Sequence, residues 1–121
     1  MLGGVDLSAK LQIKPGQRVA TVAGTDDVPS VAPPELAETP DAADVIVAFV
    51  RAKAELDSVA GPAIEAARRD KLAWIAYPKA GQLGTDLNRD ILAKSLAERG
   101  VQPVRQVAID EVWSALRFRP A

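Results

Sequence analysis

The sequence contains no cysteine and no histidine. Without cysteine, the chain can form no disulfide, no thiolate metal site and no thiol nucleophile. Without histidine, it lacks the commonest metal ligand and the commonest general base. We therefore expect no metal site, no cofactor and no catalytic residue, and any catalysis would rest on carboxylate, lysine or tyrosine side chains.

Long apolar runs and an excess of charge are also missing. The longest apolar run falls far short of the roughly 20 residues that cross a membrane. The first ten residues, MLGGVDLSAK, lack the basic-then-apolar pattern of a signal peptide. The formal net charge of −1 provides no long-range attraction to phosphate. We expect a cytoplasmic protein with no membrane partner, and nucleic acid is not the favoured partner.

What is present is an ordinary globular composition. The 121 residues are 48% apolar and 26% charged, which indicates one folded domain over residues 1–121. Segments rich in apolar and β-branched residues predict five strands, and the last two form a hairpin. These strands are Arg18–Ala23, Asp44–Val50, Leu72–Tyr77, Val104–Ile109 and Ser114–Arg119.

Helices are predicted between the later strands. The segment 52–70 is helix-like but is interrupted at Gly61, so that Pro62 lies in the first turn of a second piece. A second helix is predicted over 85–99, with Thr85 as its cap and Gly100 just beyond its end. Two other stretches remain, a short helical segment at Val5–Leu11 and a proline-rich irregular connection at Thr25–Ala42.

The alternation of strands and helices indicates an α/β fold with right-handed crossovers. We expect a three-layer, Rossmann-like sheet that is mostly parallel and ends in an antiparallel hairpin. This order resembles the second half of a class I S-adenosylmethionine-dependent methyltransferase, in which the last strand inserts antiparallel beside its neighbours. The segments that carry the resemblance are LQIKPGQRVATV (11–22) and LAWIAYPK (72–79).

The segment that should bind the cofactor departs from that family. The first strand exits through Ala23-Gly24-Thr25-Asp26, with one glycine where the family's loop has several. Thr21 replaces the usual acidic residue, and 25–42 is too short for the missing helix–strand units. The resemblance therefore implies a truncated methyltransferase-like domain, and S-adenosylmethionine is disfavoured as a ligand.

The chain also resembles a small bacterial domain family of unknown function. The matching motifs are Tyr77-Pro78-Lys79, Thr85-Asp86-Leu87 and the run DEVWSALRF at 110–118. This resemblance covers the second half of the chain and implies no activity.

One set of polar residues is predicted to gather at the carboxyl ends of the strands, where open α/β sheets bind ligands. Tyr77 and Lys79 end a central strand, and Thr85, Asp86 and Arg89 begin the next helix. A solvated turn, a capping threonine and acids that compensate the helix dipole would explain the same residues.

The hairpin connection adds Asp110, Glu111 and Trp113 to this end of the sheet. Two neighbouring carboxylates can bind a metal or exchange protons. Alternatively, Asp110 caps the turn and Trp113 packs as an apolar anchor. If the first reading holds, Lys79, Asp86, Asp110 and Trp113 converge on one mouth.

Basic residues form two sequence groups. One group ends the first helix and comprises Arg68, Arg69 and Lys71. The other lies on the last strands and comprises Arg105, Arg117 and Arg119. A phosphate-binding patch would need these residues to share a face. Helix-end charge and a solvated sheet edge are the alternative explanation.

Two functions are compatible with this sequence. The first is a non-catalytic, degenerate methyltransferase-like domain that binds a protein partner or forms a homo-oligomer, since the first strand would be left as a sheet edge. The second is a small-molecule or nucleotide binder, or a weak enzyme, that uses the predicted mouth.

Overall fold

The computed structural model describes residues 18–23, 44–56, 59–79, 85–109 and 111–120. They form a five-stranded sheet in the order β1-β2-β3-β5-β4. The strands are β1 (Val19–Ala23), β2 (Val45–Phe49), β3 (Leu72–Pro78), β4 (Val101–Ala108) and β5 (Trp113–Pro120). Between strands lie a 3-10 turn (Lys53–Glu55) and two helices, α1 (Gly61–Arg68) and α2 (Arg89–Ala97).

The sheet is mixed. β2 pairs in parallel with both β1 and β3, whereas β5 runs antiparallel to both β3 and β4. The α/β class expected from the sequence is confirmed. Two of the four pairings are antiparallel, because β5 inserts between β3 and β4, so a mostly parallel sheet is not confirmed.

A buried apolar cluster lies on each face of the sheet. On one, here called the helix face, the buried residues of α1 and α2 pack on strand residues such as Ile46, Ile75 and Leu116. The opposite or far face carries a second cluster with Phe49 and Trp74 at its centre. Both described helices contribute to the helix face alone, so the described residues show helices on one side of the sheet.

The central strands follow from their sequences. β2 (VIVAF) is buried along its whole length, and β3 (LAWIAYP) is buried at every residue but its first. Successive side chains of a strand point to opposite faces, so a strand covered on both sides must be apolar throughout. No charged residue occurs in either strand.

The predicted strands are confirmed, with small shifts at their ends. β4 begins earlier than predicted, at Val101, and the hairpin with β5 is present. Gly100 ends the preceding turn with φ of 84°, a left-handed conformation that favours glycine. The predicted features at Val5–Leu11 and Thr25–Ala42 lie outside the described residues.

The helix predictions need two corrections. The piece before Gly61 is only a 3-10 turn, while α1 begins at Gly61 with Pro62 in its first turn as expected. The second helix does not begin at Thr85. It begins at Arg89, because the side chain of Asn88, and not that of Thr85, accepts the hydrogen bond from the first turn.

A β-bulge interrupts the hairpin. Pro103 pairs with Phe118, and Arg105 pairs with the next residue of β5, Arg117. Val104 is therefore an extra residue on β4, and it shifts the alternation of the strand by one position. Val101 belongs to the helix-face cluster, and simple alternation would place residue 105 on that face too. The bulge instead places Arg105 on the far face.

Neither of the helices among the described residues has the length and apolar character needed to cross a membrane.

Candidate functional site

Tyr77 lies near the carboxyl end of β3 and is almost completely buried on the helix face. Its hydroxyl oxygen accepts a hydrogen bond from Nε2 of Gln106 on β4, at 3.3 Å. Burial raises the pKa of this phenol above its usual value, and the nearby Arg89 and Asp90 act on it in opposite directions. The group is therefore held neutral and hydrogen-bonded, which suits a structural phenol better than a proton carrier.

Two residues between β3 and α2 accept backbone hydrogen bonds through their side chains. Oδ1 of Asp86 accepts a hydrogen bond of 2.8 Å from the backbone N–H of Lys53, which begins the 3-10 turn after β2. Oγ1 of Thr85 accepts from the N–H of Leu87 at 3.0 Å. The Asp86 bond ties two connections at the carboxyl end of the sheet to each other, whereas the Thr85 bond is local to its own loop.

The start of α2 is capped locally. Oδ1 of Asn88 accepts from the N–H of Ile91 at 2.8 Å, and the extended backbone of Asn88 suits an N-cap. Asp90 lies in the first turn, where the helix dipole favours a negative charge. Arg89, the first helical residue, is exposed, and its positive charge acts against the burial that raises the pKa of Tyr77.

Lys79 and Trp113 make contacts with other segments of the chain. The backbone N–H of Lys79 donates to the carbonyl of Val112 at 2.7 Å. Trp113 is buried on the far face, where its ring contacts that of Phe49 edge-on, with 5.3 Å between centroids and an interplanar angle of 82°. Tyr77 and Trp113 thus lie on opposite faces of the sheet. Asp110 lies outside the described residues.

The structure therefore divides the predicted set. Tyr77, Thr85, Asp86 and Arg89 belong to the helix face and its connections, whereas Trp113 belongs to the far-face core. In the described ranges, Lys79, Asp86 and Trp113 each contact a different segment. The side-chain hydrogen bonds of Asp86 and Thr85 hold other parts of the chain in place.

Three residues outside the prediction take part in this arrangement. Gln106, Lys53 and Asn88 supply the partner of Tyr77, the partner of Asp86 and the helix cap. Asn88 could have been found from its cap-forming side chain. Gln106 could not, because its orientation toward Tyr77 depends on the bulge at Val104.

The arginines of the last strands do share a face. Arg105 pairs directly with Arg117, and Gln102 pairs with Arg119, two residues further along β5. Directly opposed residues of an antiparallel pair, and residues two apart on one strand, point to the same side. These three arginines therefore form one basic surface on the far side of the sheet, here called the arginine face.

In the other basic group, Arg68 connects two elements of the fold. Nε and Nη2 of Arg68 both donate to the carbonyl of Arg99, at 2.9 and 2.7 Å, and so link the end of α1 to the turn after α2. Arg68 also lies 3.7 Å from Glu65. Arg68 therefore links two elements of the fold, whereas Arg69 and Lys71 line a cavity beside α1.

A cavity of about 320 Å³ opens beside α1 on the helix face. Its walls mix apolar residues with Glu65, Arg69 and Lys71 at the rim; the lining comprises Ile46, Gly61, Pro62, Glu65, Ala66, Arg69 and Lys71. None of the predicted site residues lines it. Over the described part of the chain, no three carboxylates gather as a metal site would require.

Comparisons with protein-family models, with curated proteins and with solved structures found no match for this chain.

Proposed function

We propose that this chain is a non-catalytic domain that binds a partner protein. One observation carries the proposal: the polar side chains at the edge of the sheet where α/β enzymes keep their ligands are used to hold the fold. Asp86 binds the 3-10 turn, Thr85 binds its own loop, and Tyr77 binds Gln106. A catalytic group needs a polar atom directed at a substrate instead.

The outer strand β4 supports the binding half of the proposal. Five of its eight residues are exposed, although the strand is held in the sheet along its whole length by β5. Val104 is the only large apolar side chain among the described residues that is strongly exposed, at 47%. A paired strand with so many exposed side chains presents them for contact with a partner.

Self-assembly through this edge is the less favoured form of binding. Pro103 lacks a backbone donor, the bulge at Val104 breaks the ladder, and Arg105 adds a charge. All three are devices that prevent one sheet edge from pairing with another. A partner that contacts the side chains of β4 and β5 fits this strand better than a second copy added to its backbone.

We also propose that the domain is a truncated relative of the class I methyltransferase fold, with a third layer on the far face. The insertion of β5, antiparallel, between β3 and β4 supports this relationship. The single glycine in 23–26 supports the loss of cofactor binding.

A ligand panel tests the non-catalytic half. Thermal unfolding is followed with S-adenosylmethionine, S-adenosylhomocysteine, nucleotides and dinucleotides. We expect no stabilisation, because Tyr77, Thr85 and Asp86 are already hydrogen-bonded to other parts of the chain. A ligand present at about 100 times its Kd would stabilise the chain by roughly 2.7 kcal/mol. Such a shift, abolished by Arg89→Ala, would favour the small-molecule binder instead.

Site-specific crosslinking tests the binding half. A photo-reactive amino acid replaces Val104 in cells that produce the chain naturally, and the matched control places it at Ala97, which is exposed on α2. We expect a discrete adduct with one other protein from position 104 alone. An adduct of two identical chains would exclude a different protein as the partner, and equal labelling from both positions would contradict a binding surface on β4.

A further inference from the structure

The arginine face brings like charges together across neighbouring strands. Arg105 and Arg117 are directly opposed, so their Cβ atoms lie about 4.5–5.5 Å apart. Arg119 follows on the same side of β5. Like charges in directly opposed positions destabilise a sheet. An arrangement of this kind is expected where the charges serve a contact with something negative.

The chain itself shows which chemistry fits this face. Arg119 holds the carboxylate of Asp70 through two hydrogen bonds, from Nε at 2.8 Å and from Nη2 at 3.1 Å. Arg119 and Arg117 both lower the pKa of that carboxyl. Asp70 reaches this position from a backbone with φ of 59°, in the left-handed region that aspartate tolerates. One carboxylate is thus already bound in the fork geometry that guanidinium groups favour.

The bulge at Val104 is the second, independent observation. If the same residues of β4 paired without a bulge, Arg105 would lie on the helix face, on the side of Tyr77 and α2. With it, Arg105 joins Arg117 and Arg119 on the far face. Bulges commonly redirect a side chain in this way. Arg105 is exposed, and none of the described residues forms an ion pair with it.

We infer that the arginine face binds an acidic segment of the partner protein; this inference rests on the proposed function and names the chemistry of the partner. Carboxylates of the segment approach Arg105 as Asp70 approaches Arg119. The exposed Gln102, opposite Arg119, lies on the same surface; its Nε2 donates one hydrogen bond to the carbonyl of Pro120 at 3.3 Å and has a second N–H for the segment.

An acidic protein segment fits this surface better than a nucleic acid does. Proteins that bind DNA through its backbone typically contact about 6–10 phosphates. Here the face holds three arginines, and Arg119 is paired with Asp70. The net charge of −1 would oppose a long polyanion over the rest of the surface.

A peptide-binding assay tests the inference. The probe is a labelled peptide of about ten residues that alternates Glu and Thr, so that its carboxylates share one side when it is extended. Fluorescence anisotropy at low salt compares the natural chain with Arg105→Glu and with the matched charge reversal Lys94→Glu, which lies on α2. Circular dichroism confirms that both variants are folded.

We expect Arg105→Glu to weaken peptide binding about tenfold, because it removes an attraction and adds a repulsion. Lys94→Glu changes the net charge equally and should leave the affinity within about twofold. Added salt should weaken the binding of the natural chain. Equal effects of the two variants, no binding by the natural chain, or tighter binding of duplex DNA at the same salt would each overturn the inference.

The crosslinking experiment separates the two proposals. If the adduct from position 104 forms equally well when Arg105→Glu is added, the partner-binding function stands and the acidic segment is wrong. If no adduct forms in either background, the proposed function itself fails.

Discussion

At the scale of single residues, Tyr77 offers a direct measurement. It is the only tyrosine of the chain, so alkaline absorbance of the phenolate reports this one group. Because burial raises its pKa, we expect an ionisation midpoint above the ordinary value of about 10. Tyr77→Phe should abolish the signal.

The sign of the stability effect follows from the same shift. A phenol whose pKa is raised by folding stabilises the fold below its unfolded pKa, and this contribution is lost as the pH rises through the folded pKa. Ionisation at or below the ordinary pKa would show that the Gln106 contact and the burial do not persist in solution.

Asp70 provides a test at acidic pH. Its hydrogen bonds to Arg119 lower the pKa of the carboxyl, so the folded chain binds fewer protons than the unfolded chain as the pH falls. The stability that the charge contributes is therefore present at neutral pH and is lost below about pH 4. Urea unfolding of the natural chain and of Asp70→Asn should differ at pH 7 and converge in acid.

Asparagine is the matched substitution, because it also tolerates the left-handed backbone at this position. A difference that persists unchanged in acid would assign the effect to the backbone or to packing, not to the charge.

The start of α2 shows what residue types alone can predict. Thr85, Asp86 and Asn88 are all good N-cap residues, and Thr85 comes first in the chain. The structure uses Asn88, because Asp86 binds the backbone of Lys53, which lies 33 residues earlier. A contact over that separation is decided by tertiary packing, so local patterns predicted the helix but not its first residue.

At the scale of elements, the bulge makes a prediction about deletion. Removing Val104 would leave Pro103 and Arg105 paired with successive residues of β5, so the ladder would become regular and both residues would keep their faces. Gln106 would stay directed at Tyr77, and Val107 would stay on the far face. We therefore expect the deletion to change the free energy of unfolding by no more than about 1 kcal/mol.

Val104→Ala is the control for this deletion. It keeps the bulge and changes only an exposed side chain, so we expect a change within about 0.5 kcal/mol. Urea unfolding measures both variants. A much larger loss of stability on deletion than on substitution would mean that the bulge itself is needed for the packing of β4 against β5.

Regular alternation also limited what could be predicted for β4 and β5. The hairpin followed from two strand-like segments and a short link. The facing of the arginines did not, because a bulge leaves no local signal in QPVRQVA. The basic surface became visible only once the register was known.

At the scale of the whole molecule, the two buried clusters share the same strands. Both tryptophans, Trp74 and Trp113, belong to the far face, whereas both described helices pack on the helix face. Tryptophan fluorescence therefore reports one cluster, and the helical signal in circular dichroism reports mainly the other. We expect the two unfolding curves in urea to coincide, because β2 and β3 cannot lose one cluster and keep the other.

Leu92→Ala, on the helix face, extends this test. Filling a fully buried site with a smaller side chain costs about 2–5 kcal/mol. We expect the tryptophan transition on the far face to move by the same amount as the circular dichroism transition. Separate midpoints would mean that the two faces of the sheet unfold independently.

Pro103, Val104 and Arg105 occupy three successive positions on an outer strand, and together they make the sheet end there. A flat, regular edge of the same length would offer a template for fibrils whenever the protein became concentrated. Arg105 costs some stability beside Arg117, so selection for heat resistance alone would tend to replace it. The variant obtained would withstand a higher temperature as a dilute monomer and would be more prone to aggregate in a crowded cell.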